Sequence, residues 1–235
     1  MSEIKLSKRM QTVADMVEGA VVADIGCDHA FVSIHLVQSG KAKKVIAMDV
    51  KKGPVNIAKS NITTYGLDKY IEVRLSNGFD SLNVGEADCA VIAGMGGILM
   101  VNILEKGIGH INSGINLVLQ PQSDIYLVRK FLSEYGYSIA DEEMLIEDDK
   151  YYTVIKAKPV SCSSVSFSEE ELLFGPVLLA KKDITLKKYL MKAHKNNCEL
   201  IDRLFETNTD KSQARIKVLE KDNSVILKAL AKYTK

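Results

Sequence analysis

The sequence predicts a doubly wound α/β domain followed by a helical hairpin, and three observations lead there. From Val21 to about Lys158, short apolar runs alternate with segments of helical period. The runs are apolar throughout rather than at every second residue, the pattern of a parallel sheet covered on both faces. The last two runs, "YSIADEEMLIED" and "KYYTVIKAK", are separated by a short acidic turn with no helix between them, so the sheet should end in an antiparallel hairpin.

The elements follow in order. In "LSKRMQTVADMV", Leu6, Met10, Val13 and Val17 recur at helical spacing, and this helix should pack over the sheet. "VVADI" is the first strand, with a helix over Phe31 to Gln38. "KVIAMDV" is the second, after which Pro54 opens a helix that ends before Gly66, proline first and glycine last. "YIEVRL" and "DCAVIAG" are the third and fourth strands, and a helix runs from about Gly97 to Lys106. "INLVLQ" is the fifth strand; Ser123 then caps a helix that stops at Gly136. The serine-rich "KPVSCSSVSFS" reads as a linker, which divides the chain into domains over 1–160 and 165–235. Beyond it, Ser168 and Glu171 form a capping box. Two long helices, about Ile184 to Glu206 and Lys211 to Tyr233, are joined at "TNTD". Leu186, Leu190, Ala193, Asn197, Leu200 and Leu204 make a coiled-coil seam on the first; Ile216, Leu219, Asn223, Ile226, Leu230 and Tyr233 make one on the second. Asn197 and Asn223 lie at similar distances from the turn, which predicts a polar pair that fixes the register.

Composition narrows the class. Of 235 residues, 46% are hydrophobic and 26% charged, ordinary for a soluble globular protein. No apolar run approaches the roughly 20 residues that span a bilayer, and "MSEIKLSKRM" lacks the apolar core of a signal peptide. Cys27, Cys89, Cys162 and Cys198 form no CxxC pair, and His29, His35, His110 and His194 make no ligand cluster. The expectation is a cytoplasmic protein with reduced thiols and no metal. Net charge is +1, unevenly spread: residues 165–235 hold 14 Lys and Arg against 10 Asp and Glu, the remainder 17 against 20. A basic tail on a mildly acidic body suggests a polyanionic partner. A monomer is expected.

The stretch "VADIGCDHAFVSIHL" carries the chemistry. It has the strand-turn-helix form of a nucleotide cradle, yet Asp28 and Ala30 stand where such loops have glycine. Gly26 lets the chain turn sharply off the first strand. Asp49, closing the second strand, has the spacing of an acid that binds ribose hydroxyls. A pyrophosphate would be repelled by Asp28, whereas S-adenosylmethionine has no phosphate and carries cationic sulfonium and ammonium groups that Asp24 and Asp28 would favour. Cofactor contacts are therefore expected from Asp24, Gly26, Cys27, Asp28 and Asp49. They extend to "SNGF" after the third strand (Ser76, Asn77, Gly78) and to Gly94 after the fourth. In "AGMGG", the run from Gly94 through Met95, Gly96 and Gly97 lies at a strand end where ligands collect, and its glycines let a flat base approach the backbone. Gln120 and Pro121, ending the fifth strand, could face the same pocket. Met95 and Phe79 are candidates to stack on a base. The terminal hairpin and Asp28 favour a methyltransferase over an NAD-dependent dehydrogenase; a non-catalytic RNA-binding module stays open on the residues alone.

"DIGCDHAFV", "SNGF", "VIAGMGG" and "LQPQSD", in that order and followed by a helical hairpin, resemble the bacterial tRNA (adenine(22)-N1)-methyltransferase family over essentially the whole chain. The resemblance implies a Rossmann-like class I methyltransferase sheet with a C-terminal coiled-coil domain. It implies transfer of a methyl group from S-adenosylmethionine to N1 of adenine 22 in tRNA; another RNA base or a small-molecule acceptor is the alternative. Adenine N1 already has a lone pair, so no base is needed to create the nucleophile. Asp28 is the candidate for a carboxylate near the charge that develops, with His29 beside it. The tail would contact the tRNA backbone through Lys181, Lys188, Lys192 and Lys195, which recur at steps of seven, four and three.

Overall fold

The computed structural model describes residues 4–161, 165–207 and 209–234, and its internal contacts separate into two compact units, Met1–Ser166 and Phe167–Lys235. Cys162 and Asn208, named above in the cysteine count and the hairpin turn, lie outside the described residues. Among the described residues no helix is long and apolar enough to cross a membrane.

The first unit is built on seven strands: β1 (Val21–Ile25), β2 (Lys44–Asp49), β3 (Ile71–Leu75), β4 (Cys89–Met95), β5 (Asn116–Pro121), β6 (Tyr137–Glu147) and β7 (Lys150–Pro159). Their order is β3-β2-β1-β4-β5-β7-β6, with β1 to β5 parallel and β7 antiparallel to both of its neighbours. The apolar runs explain the parallel part, since Val22, Ala23, Val45, Ile46, Ala90, Val91, Leu117 and Leu119 are all buried. After β1 the chain winds outward through β2 and β3, then returns to place β4 on the other side of β1. The carboxyl ends of β1 and β4 therefore open at a topological switch point, where ligands bind in such sheets.

The helices α1 (Lys8–Met16), α2 (Phe31–Gln38), α3 (Lys52–Thr64), α4 (Gly97–Lys106), α5 (Ile108–Asn112) and α6 (Ile125–Glu134) accompany these strands, and α7 (Glu169–Phe174) opens the second unit. Val13, Ala14 and Val17 of the α1 region share one buried cluster with Val91, Val118 and Val154, so α1 covers the sheet as its spacing indicates. Two helix starts differ from expectation. Pro54 is the third residue of α3, not its first; the N–H it lacks is one of the first-turn donors without an intrahelical acceptor, so the ring costs nothing there. Helix α6 is preceded by Asp124 in a left-handed conformation, and the Ser123 hydroxyl donates to Asp124 Oδ2 (2.6 Å) instead of capping the helix. The short helix α5 is an addition to the elements expected from the sequence.

In the second unit α7 starts with the expected reciprocal capping box between Ser168 and Glu171. It is followed by α8 (Pro176–Ala180), α9 (Ile184–Thr207) and α10 (Asp210–Ala231). Leu186, Leu190, Ile216, Leu219 and Ile226 are buried along the hairpin. The Asn197 amide donates to Asn223 Oδ1 at 3.0 Å, the predicted polar pair. Tyr233 departs from the seam: α10 ends at Ala231, and the Tyr233 hydroxyl donates to the Asp183 carbonyl (3.0 Å). Lys181 precedes α9 and so does not continue its lysine row.

Candidate active site

A cleft of about 610 Å³ opens at the carboxyl ends of β1, β2 and β4. Its floor is the turn after β1. Gly26 N and Cys27 N both donate to the Met48 carbonyl (2.7 and 2.9 Å), which hooks the turn onto β2. Gly26 has φ +76°, the conformation that calls for glycine here; a Cβ would meet only the flexible end of the Met95 side chain, which can move aside. The loop then keeps the left-handed geometry of a glycine loop without its glycines: Asp28 and Ala30 have φ 49° and 59°. Asp28 tolerates this conformation better than most residues, and Ala30 less well.

Three carboxylates line the cleft. Asp24 is buried, accepts a hydrogen bond from the Ser33 hydroxyl (2.6 Å), and has its pKa raised to about 6, chiefly by burial and further by the charge of Asp49. Asp49 accepts from Lys51 N (2.9 Å) and Asp28 N (3.3 Å), which fixes its side chain at the end of β2. Asp28 is open to water, and its Oδ1 lies 3.7 Å from His29 Nε2. The His29 carbonyl accepts from the Asn61 amide (2.9 Å), anchoring this loop to α3. Burial, then the neighbouring carboxylates, push the Cys27 thiol far above its usual range, so it stays protonated and is no nucleophile. Gly94 and Met95 complete the expected residues that border the cleft.

The other expected residues lie elsewhere, each for a local reason. Gln120 is fully buried; its Oε1 accepts from Arg9 Nη1 (2.7 Å) and Gly94 N (3.1 Å), so it braces the β4 end from behind. Pro121 is buried opposite Met95 in the β4–β5 ladder. Gly97 packs on the loop before α6, where a Cβ would meet the Ser123 and Asp124 carbonyl oxygens at 2.5 and 2.6 Å, and Gly96 faces the Ser123 hydroxyl. Ser76 is buried and bonds within its own loop, to the Gly78 carbonyl and the Ser81 amide. Gly78 has φ +63° and packs near Ile103, while Asn77 is exposed and outside the cleft lining. Phe79 is core, stacked on His110 at 4.8 Å. Lys188, Lys192 and Lys195 belong to the second unit and are exposed on α9, with Lys195 Nζ 3.8 Å from Glu199 Oε1.

Sequence reading missed Arg9, Phe31, Leu99 and Gln122 on the cleft wall. Arg9 stands over the Tyr152 ring at 5.1 Å while reaching Gln120. A cation in the polar face of a helix read only as packing was the one available signal. Among the described residues no three His, Cys, Asp or Glu side chains group to hold a metal ion.

Residues 6–155 match the family described as "Methyltransferase domain". A tRNA (adenine(22)-N(1))-methyltransferase of Bacillus subtilis is 36% identical over 223 residues, covering 92% of this chain and 93% of that protein. The chain belongs to the tRNA (adenine(22)-N(1))-methyltransferase family. The fold of the family agrees along the full length: the crystal structure of the B. subtilis m1A22 tRNA methyltransferase TrmK superposes with a TM-score of 0.83 at 32% identity, covering 97% of this chain and all of that one. The structure of M. capricolum TrmK, a complex with S-adenosyl-homocysteine, gives 0.82 at 25% identity, covering 97% of this chain and 98% of that one. Family membership sets aside the dehydrogenase reading that the strand-turn-helix alone left open.

Proposed function

We infer that this chain transfers a methyl group from S-adenosylmethionine to N1 of the adenine at position 22 of tRNA. The observation that carries the reading is full-length kinship with an enzyme of that name, joined to a cleft whose charged floor suits the cofactor. The donor set fits. Asp49, held by two backbone amides at the end of β2, would take the ribose hydroxyls. Buried Asp24 offers a carboxylate to an ammonium group, and Asp28 would repel the phosphates of a dinucleotide. When bound, S-adenosylmethionine supplies an electrophilic methyl group on a sulfonium. The protein's task is then to hold N1 in line with it. Asp28, beside the cleft, stabilises the positive charge the base acquires, and His29 contacts the base rather than abstracting a proton, since N1 is a nucleophile as it stands. Met95 and the Gly94 backbone border the same space.

The second unit supplies tRNA backbone contacts through Lys188, Lys192 and Lys195, leaving methyl transfer to the first. Its seam is buried within one chain, which supports a monomer, and tRNA as substrate supports a cytoplasmic location. The test is incubation of purified protein with an unmodified tRNA transcript and S-adenosylmethionine carrying a labelled methyl group, followed by reverse transcription. Methyl on N1 blocks pairing, so a polymerase stop at position 22 that disappears when that base is changed is the expected result. Incorporation without that stop would move the target to another base or atom.

A further inference from the structure

We propose that Phe31 is the ring on which the extruded adenine stacks. The proposal rests on the adenine-methylating reading and adds the group that replaces the stacking the base gives up. N1 lies on the pairing edge, so the base must leave its neighbours, at a cost of a few kcal/mol. An aromatic platform returns about 1–3 kcal/mol per base and accepts any π-face. The chain has no tryptophan, and its rings are nine Tyr, six Phe and four His. Of these, only Phe31 and His29 are among the described residues that line the cleft.

Phe31 is the first residue of α2 and 43% exposed. The helix core is made by Ser33, Ile34, His35 and Leu36, all buried, so the fold does not call on this ring. A lone exposed Phe is ordinary on a protein surface; this one sits at the mouth of the reaction cleft, three residues from Asp28. Its ring partner is His29, at 5.5 Å between centroids and 81° between planes. An edge-to-face contact occupies at most one face of the Phe31 ring, so His29 leaves the other uncovered for a flat base. Leu99, 53% exposed on α4, adds apolar surface to the same cleft. Phe79, the other phenylalanine considered from the sequence, cannot serve because it is buried against His110.

The experiment compares full-length wild type, Phe31→Leu and Phe31→Tyr. It measures kcat/KM for an unmodified tRNA transcript, the S-adenosylhomocysteine Kd by calorimetry, and the Tm. Phe31→Leu is expected to lower kcat/KM about 5- to 150-fold, the stacking range above expressed as a rate ratio. Its S-adenosylhomocysteine Kd and Tm should stay at wild-type values, and Phe31→Tyr should restore most of the rate. Two outcomes overturn the proposal: a Phe31→Leu variant within twofold of wild type, or one whose S-adenosylhomocysteine Kd rises in step with the lost rate, which would assign the ring to the cofactor. Wild type that binds S-adenosylhomocysteine yet leaves position 22 unmethylated defeats the underlying reading, and stacking with it, before any variant is made.

Discussion

At Asp24, folding and the proposed cofactor contact would pull one carboxyl in opposite directions. Burial, with Asp49 nearby, raises its pKa from 3.8 to about 6, so between those values the folded chain holds a proton that the unfolded chain releases. The group's contribution to stability is complete below about pH 4 and is lost as pH rises through 6. Asp24→Asn should therefore leave Tm at pH 8 unchanged or higher. A bound ammonium favours the ionised carboxyl, so wild-type affinity for S-adenosylhomocysteine should weaken as pH falls through 6. In the Asp24→Asn variant that dependence should flatten, with Kd at pH 8 about tenfold or more weaker, the scale of a hydrogen bond to a charged group. Calorimetric titrations from pH 5.5 to 8 decide it; an unchanged Kd would remove Asp24 from the cofactor site. Asp28 is the contrasting case, with its side chain 72% exposed. Water screens it, so Asp28→Asn should cost about tenfold in kcat rather than orders of magnitude. Asparagine also accepts the left-handed backbone, so Tm should hold; a kcat within twofold of wild type would show that the charge is not used.

Elements were more legible than side-chain directions. The five parallel strands and the closing hairpin follow from where apolar runs fall, because each strand must be buried on both faces. What a sequence does not display is which way a residue at a strand end points. Gln120 and Ser76 stand at the ends expected of pocket residues, yet other partners turn them inward: Arg9 and Gly94 from other segments for Gln120, Gly78 and Ser81 of its own loop for Ser76. The cleft wall likewise borrows Arg9 from α1, far from the motif in sequence. The Asn197–Asn223 pair shows the reverse, since a regular seam converts spacing into contact. Asn223 is buried at 8% exposure and its Nδ2 donates to Cys198 Sγ (3.7 Å), so Asn197→Leu alone should leave its Oδ1 without a donor and cost about 1–3 kcal/mol. Asn197→Leu with Asn223→Leu should recover that loss by burying two apolar groups in place of two polar ones. Denaturant unfolding of the full-length single and double variants measures the coupling; additive losses would mean the two amides do not act as a pair.

Across the whole molecule, charge is divided as the proposed work is. The residues before 165 carry an excess of acids and surround a cleft floored by three carboxylates, a poor surface for a polyanion but a good one for a sulfonium cofactor. The excess of lysine and arginine lies after 165, with Lys188, Lys192 and Lys195 exposed on α9. If these three meet phosphates, each releases counterions on binding, and the slope of log affinity against log salt should fall by about one per lysine removed. The triple change Lys188→Gln, Lys192→Gln and Lys195→Gln should flatten the slope for tRNA by about three and weaken binding most at low salt. Because phosphate contacts position the RNA without reading it, the loss should be the same for a tRNA whose base 22 has been changed. Exposed lysines contribute little to folding, so Tm and the S-adenosylhomocysteine Kd should not move, which separates lost docking from a damaged fold. A slope unchanged in the triple variant would leave these lysines as solvated surface and turn the hairpin toward a protein partner instead.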